Sequence, residues 1–406
     1  MSTRIATYTY IFITVAIVAA YSLLWMPLFQ NPSGIVNRDF TIFATAVKVA
    51  EEAGYPAVFD IALQKQAQEE IVGDKISIGG GMLPFNHPPI LLPLMQVLIN
   101  PGNLPRSFLL WTAVNLILVG TCLAITGRWL AQKGIPYQQQ FVLWLPLILL
   151  YPLHQALFQG QDVLVPMLGL VIWAIGTNHN RYGVAGVGLS LTVLMPQIAL
   201  ALAIPLFWGQ RKVFYSFIVS AGAMAFISIG MIRIPGTLDF INMIIETAGA
   251  SGDTFGVNKQ VMLNASGIFL RLWPSAPETI LSLVTWGVYL GGIGYLCWLH
   301  HAYKDDDPEA HLIVIGISIV VAMFASPHLH VHSMSVLWVP LAVFYWGWHH
   351  YEHRSLVGGG LLALTGSAVM FLLNLPSFGL NWLPTIAVLA GLLFSFYRWL
   401  HLSKSD

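Results

Sequence analysis

Charge is the first thing this chain lacks. Asp, Glu, Lys and Arg make up only 9% of its 406 residues, hydrophobic residues make up 56%, and mean hydropathy is +0.71. A soluble domain carries about a quarter charged residues, so the composition asks for lipid as solvent. The 18 basic and 18 acidic residues cancel, which leaves no basic field for nucleic acid, and no such partner is expected. Cysteine is nearly absent: Cys122 and Cys297 both sit inside apolar runs, which excludes a disulfide framework. No internal repeat is visible, which counts against an inverted-repeat transporter. The first nine residues have neither a strong basic region nor a small-residue cleavage site, so the run from Tyr10 to Phe29 is expected to be a retained anchor.

Apolar runs are abundant instead. They lie near 10–29, 107–127, 140–156, 162–176, 183–195, 197–209, 213–232, 279–299, 311–326, 334–348, 356–373 and 383–400. They predict an all-α integral membrane fold, one polytopic domain (1–406) of about twelve spans. The pair 183–195 and 197–209, broken at Met195-Pro196-Gln197, is short for the roughly 20 residues a bilayer asks for, so it is expected to be tilted or to end in a cavity. Residues 88–100 are apolar but equally short, only 13 residues, and contain Pro88, Pro89 and Pro93. If they stay in the interface, Arg4, Arg128, Lys133, Arg181, Arg211, Lys212, Lys304, Arg354, Arg398 and Lys404 all face one side. The positive-inside rule makes that side the cytoplasm, with both termini on it, in a multi-pass protein of the cell membrane. No glycine-rich phosphate loop occurs on that side. The extracytoplasmic face then carries two long loops, 30–106 and 233–278. In the first, Ile42, Ala46, Val49, Ala50 and Ala53 recur at helical spacing, and 60–72 reads as a second amphipathic helix, both suited to the membrane surface.

Four polar groups fall on this outer face. Asp39, in Asn37-Arg38-Asp39-Phe40, is a carboxylate at a lipid boundary. It reads equally as a general base for a hydroxyl nucleophile and as the N-cap of the helix that follows. Arg38 can pair with it or bind a lipid phosphate. Ser326-Pro327-His328-Leu329-His330-Val331-His332-Ser333 carries three histidines at alternate positions. They could ligate a metal, bind a phosphate, or lie against headgroups; no Cys or carboxylate is near in sequence, so a metal is not expected. Phe158-Gln159-Gly160-Gln161-Asp162 is a turn with amides suited to sugar hydroxyls, or an ordinary turn in which Asp162 starts the next helix. Lys259, Asn264, Ser266 and Arg271 offer cations and amides where an anionic lipid headgroup could sit, or simply anchor the loop to bulk phospholipid.

In order along the chain, these groups resemble glycosyltransferase family 87, enzymes of the GT-C superfamily that use polyprenyl phosphate sugars. The landmarks are Asp39-Phe40 after the first span, Gly54-Tyr55-Pro56 leading into Phe59-Asp60, and the aromatic-x-x-Pro-Pro-aliphatic run from Phe85 to Ile90. Gly160-Gln161, Pro196-Gln197, Asn264-Ala265-Ser266 and Ser326-Pro327 followed by His332 complete them. The resemblance implies a GT-C-type bundle with an outer cavity under the first loop. It also implies an inverting displacement at the anomeric carbon, mannose as the usual sugar, and a glycolipid or glycan hydroxyl as acceptor. Asp39 takes the place of the family's base. His332 takes that of its late histidine, at the donor phosphate, with His330 in reserve and His328, Gln161 and Gln197 beside the substrates. Two departures stand out. Met195 replaces a basic residue frequent before the Pro-Gln pair, so the donor phosphate must find its positive charge elsewhere, at Lys259, Arg271 or Arg38. His87 stands where an aromatic residue is usual, which bears on acceptor recognition.

The expected function is therefore sugar transfer outside the cytoplasm from a polyprenyl phosphate, with no cofactor and no metal, since the outer loops hold no Asp-x-Asp. A transporter of lipid-linked sugars is the alternative. An envelope scaffold also fits the spans, but leaves the outer acidic and histidine groups idle.

Overall fold

Every one of the twelve apolar runs is helical in the computed structural model, which describes residues 3–30, 34–35, 38–73, 82–249, 261–352, 355–373 and 382–402. In order, the helices are α1 (Thr3–Gln30), α2 (Phe40–Ala53), α3 (Ile61–Val72), α4 (Leu92–Leu98), α5 (Leu104–Gln132), α6 (Tyr137–Ile148), α7 (Tyr151–Gln159), α8 (Leu164–Asn178) and α9 (Tyr182–Ser190). They continue with α10 (Pro196–Leu206), α11 (Arg211–Gly249), α12 (Ala265–Leu272), α13 (Glu278–Ala302), α14 (Pro308–Ala325), α15 (Trp338–His350), α16 (Leu356–Leu373) and α17 (Trp382–Leu402). Seven of these (α1, α5, α11, α13, α14, α16, α17) are long and apolar enough to cross a bilayer alone. An eighth forms if α6 and α7, bent by 55° at Leu149-Leu150, count as one span. This is a multi-helix membrane protein.

Proline and capping residues set the boundaries. Pro152 enters the first turn of α7 and Pro196 that of α10, where no backbone N–H is missed. Asp60, Asn103, Asn264 and Asp307 each accept a backbone N–H at the start of α3, α5, α12 and α14. α14 is the central post: 72% of its apolar window is buried, against 17% for α1. α8, α10, α13, α15 and α17 pack around it. A helix apolar on every side belongs in such a place.

A second, separate core lies under the first long loop. Phe40, Phe43, Val47, Phe59, Phe85, Leu92, Met95, Phe108 and Trp111 form it, with Ile232 and Met243 of α11. Two buried glutamines hold the loop there. Gln64 donates to the Val58 carbonyl at 2.8 Å and accepts from the Phe85 N–H at 2.7 Å; Gln68 exchanges both bonds with the Leu83 backbone. Lys48 bridges α2 to α3 through Glu70 at 2.9 Å. α2 is amphipathic as a whole, yet Phe40 to Val47 are buried without a break, because α3, α4, the turn at Tyr55–Ala57 and the rings of Phe108 and Trp111 on α5 cover it, and α11 packs over that turn from outside. α11 manages this by breaking at Arg233, at φ 60 and ψ −178, so that its second part can turn onto Pro56 and Phe59.

Candidate functional site

The N-cap position at the start of α2 belongs to Asp39, yet its side chain caps nothing. Its Oδ2 accepts a hydrogen bond from Gln161 Nε2 at 2.5 Å and faces His332 Nδ1 at 3.9 Å. Four other helices here use their Asp or Asn as a cap, so the difference is one of position. Asp39 has αR backbone angles, and its carboxylate turns away from the helix toward the bundle. The distance to His332 exceeds a hydrogen bond, and such contacts commonly tighten only when substrate binds.

Gln161 reaches Asp39 because the turn before it is fixed twice. Gly160 adopts φ 71, ψ 35, the left-handed conformation open to glycine. A Cβ there would lie 2.9 Å from Phe40 Cβ. From α5, Trp111 Nε1 donates to the Gly160 carbonyl at 2.8 Å, and Asn115 Nδ2 to the Gln161 carbonyl at 3.1 Å. Asp162, next in sequence, is 4% exposed and pairs with His87 Nδ1 at 3.0 Å.

His332 opens a 3-10 turn (His332–Leu337) ahead of α15. Behind it the three histidines make a row: His330 stacks on His332 with ring centroids 5.6 Å apart, and His328 meets His330 edge-on at 4.6 Å. Burial pushes His328 down to about 4, helped by the neighbouring His332 and His87; burial also holds His330 well below the imidazole range, with His328 and His332 adding to it. In His332 burial also wins, against Asp39 and Asp162, and the net direction is down. His87 goes the other way: burial lowers it, but the Asp162 carboxylate at 3.0 Å and, less strongly, Asp39 more than offset that.

The remaining expected residues divide. Arg38 lies over Phe158, its Cζ 3.7 Å from the ring centroid, and its Nε is buried without a hydrogen-bond partner among the described residues. Gln197, at the tip of the short α9–α10 hairpin, donates weakly to the His328 carbonyl at 3.5 Å. Asn264 caps α12 and donates to the Ser326 carbonyl at 2.7 Å, so its amide ties two loops together rather than facing a ligand. Ser266 and Arg271 ride on α12; Ser266 is buried, and Arg271 Nη1 is buried without a hydrogen-bond partner among the described residues. Lys259 lies outside the described residues. Among the described residues no three His, Cys, Asp or Glu side chains converge as a metal ion would require.

Three residues enter that the sequence does not place in the site: Trp111, Asn115 and Asp162, which it marks only as a helix start. Asp162 carried a signal, a carboxylate at the mouth of an apolar run, but a helix start explained it as well. A surface recess of about 830 Å³ lies among Lys133, Gln138, His349 and His350. It is at the far end of α5, on the order of 33 Å from Trp111 at the rise of an α-helix. It holds none of the residues above.

Two carboxylates, each facing an imidazole, and an amide, gathered where several membrane helices end, mark a membrane-embedded enzyme that handles a polar group at a lipid boundary. The model of glycosyltransferase family 87 matches residues 85–327, more than half of the chain. The chain belongs to that family and is a glycosyltransferase. The match contains His87, Gln161, Asp162 and Gln197, while Asp39 and His332 flank it. No curated protein and no solved structure matches.

Proposed function

We propose that this protein moves a sugar, mannose in the first instance, from a polyprenyl phosphate to a hydroxyl of a lipid-linked or glycan acceptor on the extracytoplasmic face. The observation that carries this is the Asp39 carboxylate: it is released from helix capping and met instead by Gln161 and His332. The acceptor hydroxyl gives its proton to Asp39 as its oxygen bonds to the anomeric carbon. The bond from that carbon to the phosphate oxygen breaks, and the electron pair leaves with the phosphate. An oxocarbenium-like transition state needs no stronger base than a carboxylate. His332, on the neutral side, is free to donate to or accept from the reacting oxygens. The outer face follows from the distribution of Lys and Arg, and a lipid-bound donor suits it.

The test gives purified wild type and Asp39→Ala a radiolabelled polyprenyl phosphate mannose with a lipid extract. Label entering a new product with wild type only is the expected result. Equal transfer by the variant removes Asp39 as base. Passage of label across vesicles with no new product favours the transporter.

A further inference from the structure

Two carboxylate–imidazole pairs share this site, and the displacement needs only one base. Asp39 and His332 are 3.9 Å apart, beyond a hydrogen bond. Asp162 and His87 are 3.0 Å apart, in contact. A carboxylate as buried as Asp162 is costly unless a positive partner stays with it. The His87 ring is fixed as well: Phe43 meets it edge-on at 5.1 Å, and Phe85 lies 5.6 Å away. With Nδ1 held on Asp162, Nε2 is the nitrogen left for a ligand. The ionisable groups that face His87 are Asp162, Asp39, His328 and His332. Of the four, both carboxylates favour its charge, and both histidines are held toward neutral. Environments that pull neighbouring groups apart in this way assign them different protonation states.

We propose that His87, as an imidazolium held by Asp162, meets a phosphate oxygen of the lipid donor while the sugar departs, with Asp162 as its positioning residue. This rests on the functional reading above. The donor enters as a phosphodiester with one negative charge and leaves as a monoester with two; the electron pair of the broken carbon–oxygen bond stays on phosphate. A fixed cation at that oxygen favours the transition state over the bound donor, and His87 keeps its own proton throughout. Arg38 and the neighbouring histidines are less well placed. The position before the Pro-Gln pair is Met195, which is buried and uncharged. The Arg38 guanidinium lies on Phe158 beside Asp39. His328 and His330 are pushed down by burial. The histidine that replaces an aromatic residue in this chain thereby supplies the charge that Met195 does not.

The experiment measures donor kcat and KM against pH for wild type, His87→Gln and Asp162→Asn, with thermal unfolding in detergent as the folding control. Wild-type activity should fall on the alkaline side, as His87 loses its proton. His87→Gln should lower kcat about 100-fold, the usual loss for one transition-state donor, and should lack that alkaline limb. Asp162→Asn keeps the shape but removes the charge, so burial should carry the limb to lower pH. Should His87→Gln fail to fold, Asp162→Asn decides. Profiles of both variants that overlay the wild type overturn the pair. A wild type that transfers no sugar overturns the functional reading instead. The pair is then judged by retention of polyprenyl phosphate in native mass spectrometry, where equal retention by His87→Gln overturns it.

Discussion

Gly160→Ala tests whether the turn between α7 and α8 is what positions the site. The left-handed backbone costs an L-residue about 1–2 kcal/mol. The new Cβ would stand 2.9 Å from Phe40 Cβ and 3.1 Å from Phe108 Cε2. Neither ring can withdraw. Phe40 is fully buried, and Phe108 packs edge-on against it at 5.4 Å. Overpacking of this kind costs about 1–3 kcal/mol, so the total is about 2–5 kcal/mol. Relief comes only by moving the turn, and Gln161 and Asp162 move with it. A displacement of about 1 Å in a positioned group costs on the order of 100-fold in rate. Gly120→Ala in α5 is the control. Its Cβ meets open space, and helix propensity favours Ala by about 1 kcal/mol. Thermal unfolding in detergent and sugar transfer should both fall in Gly160→Ala and both hold in Gly120→Ala. A Gly160→Ala protein that unfolds and transfers like wild type would refute the reasoning. One that unfolds early but transfers normally would break the link from turn to site.

Asp39→Asn should lose transfer by about 100- to 10,000-fold with an unchanged Tm, because Asp39 caps no helix. Asp60→Ala should do the reverse, losing a two-bond cap worth about 1 kcal/mol while keeping kcat; an exchange of these phenotypes would sink the distinction. Arg233→Gly should raise Tm. An L-residue at φ 60, ψ −178 costs about 1–3 kcal/mol, more than the entropy glycine adds to the unfolded chain, and a lower Tm would contradict that. Transfer should persist in EDTA; a loss restored by Mn²⁺ or Mg²⁺ would show a metal requirement.

The fold was legible because lipid allows few solutions. Residues long, apolar and poor in charge must satisfy their backbone within a helix, so the apolar runs could be bounded to within a few residues. α11 was the hard case. Its expected end at 232 is a real break, at Arg233, but the helix resumes to Gly249, since its second part has a core to cover. The site was legible at Asp39, Gln161 and His332, where polarity stands out against apolar surroundings. Asp162 was not, because a carboxylate before a helix has an adequate local explanation. Only the fold, by bringing His87 across from the first loop, supplies the competing one. Asn264 shows the converse: a polar residue in a promising run that spends both ends of its amide on backbone.

Reaction geometry within half an ångström is hard to hold on loops, and these residues come from four separate stretches of chain. The structure meets that demand by setting the site on the seam between its two cores. Asp39 precedes Phe40, which is anchored in the smaller core against Phe108; Gln161 and Asp162 follow a turn pinned by Trp111 of the same core. His332 enters from the larger one, on the 3-10 turn that leads into buried Trp338. The site therefore draws on both cores: Asp39 and His87 come from the first loop, while Gln161 and Asp162 sit between α7 and α8, which pack directly on the His332 turn in the bundle. The 2.5 Å Asp39–Gln161 bond, the 3.0 Å His87–Asp162 pair and the 3.9 Å between Asp39 and His332 all join the first loop to the bundle across that seam. At 3.9 Å the Asp39–His332 contact is the longest of the three and exceeds a hydrogen bond, and contacts of this kind tighten when substrate binds.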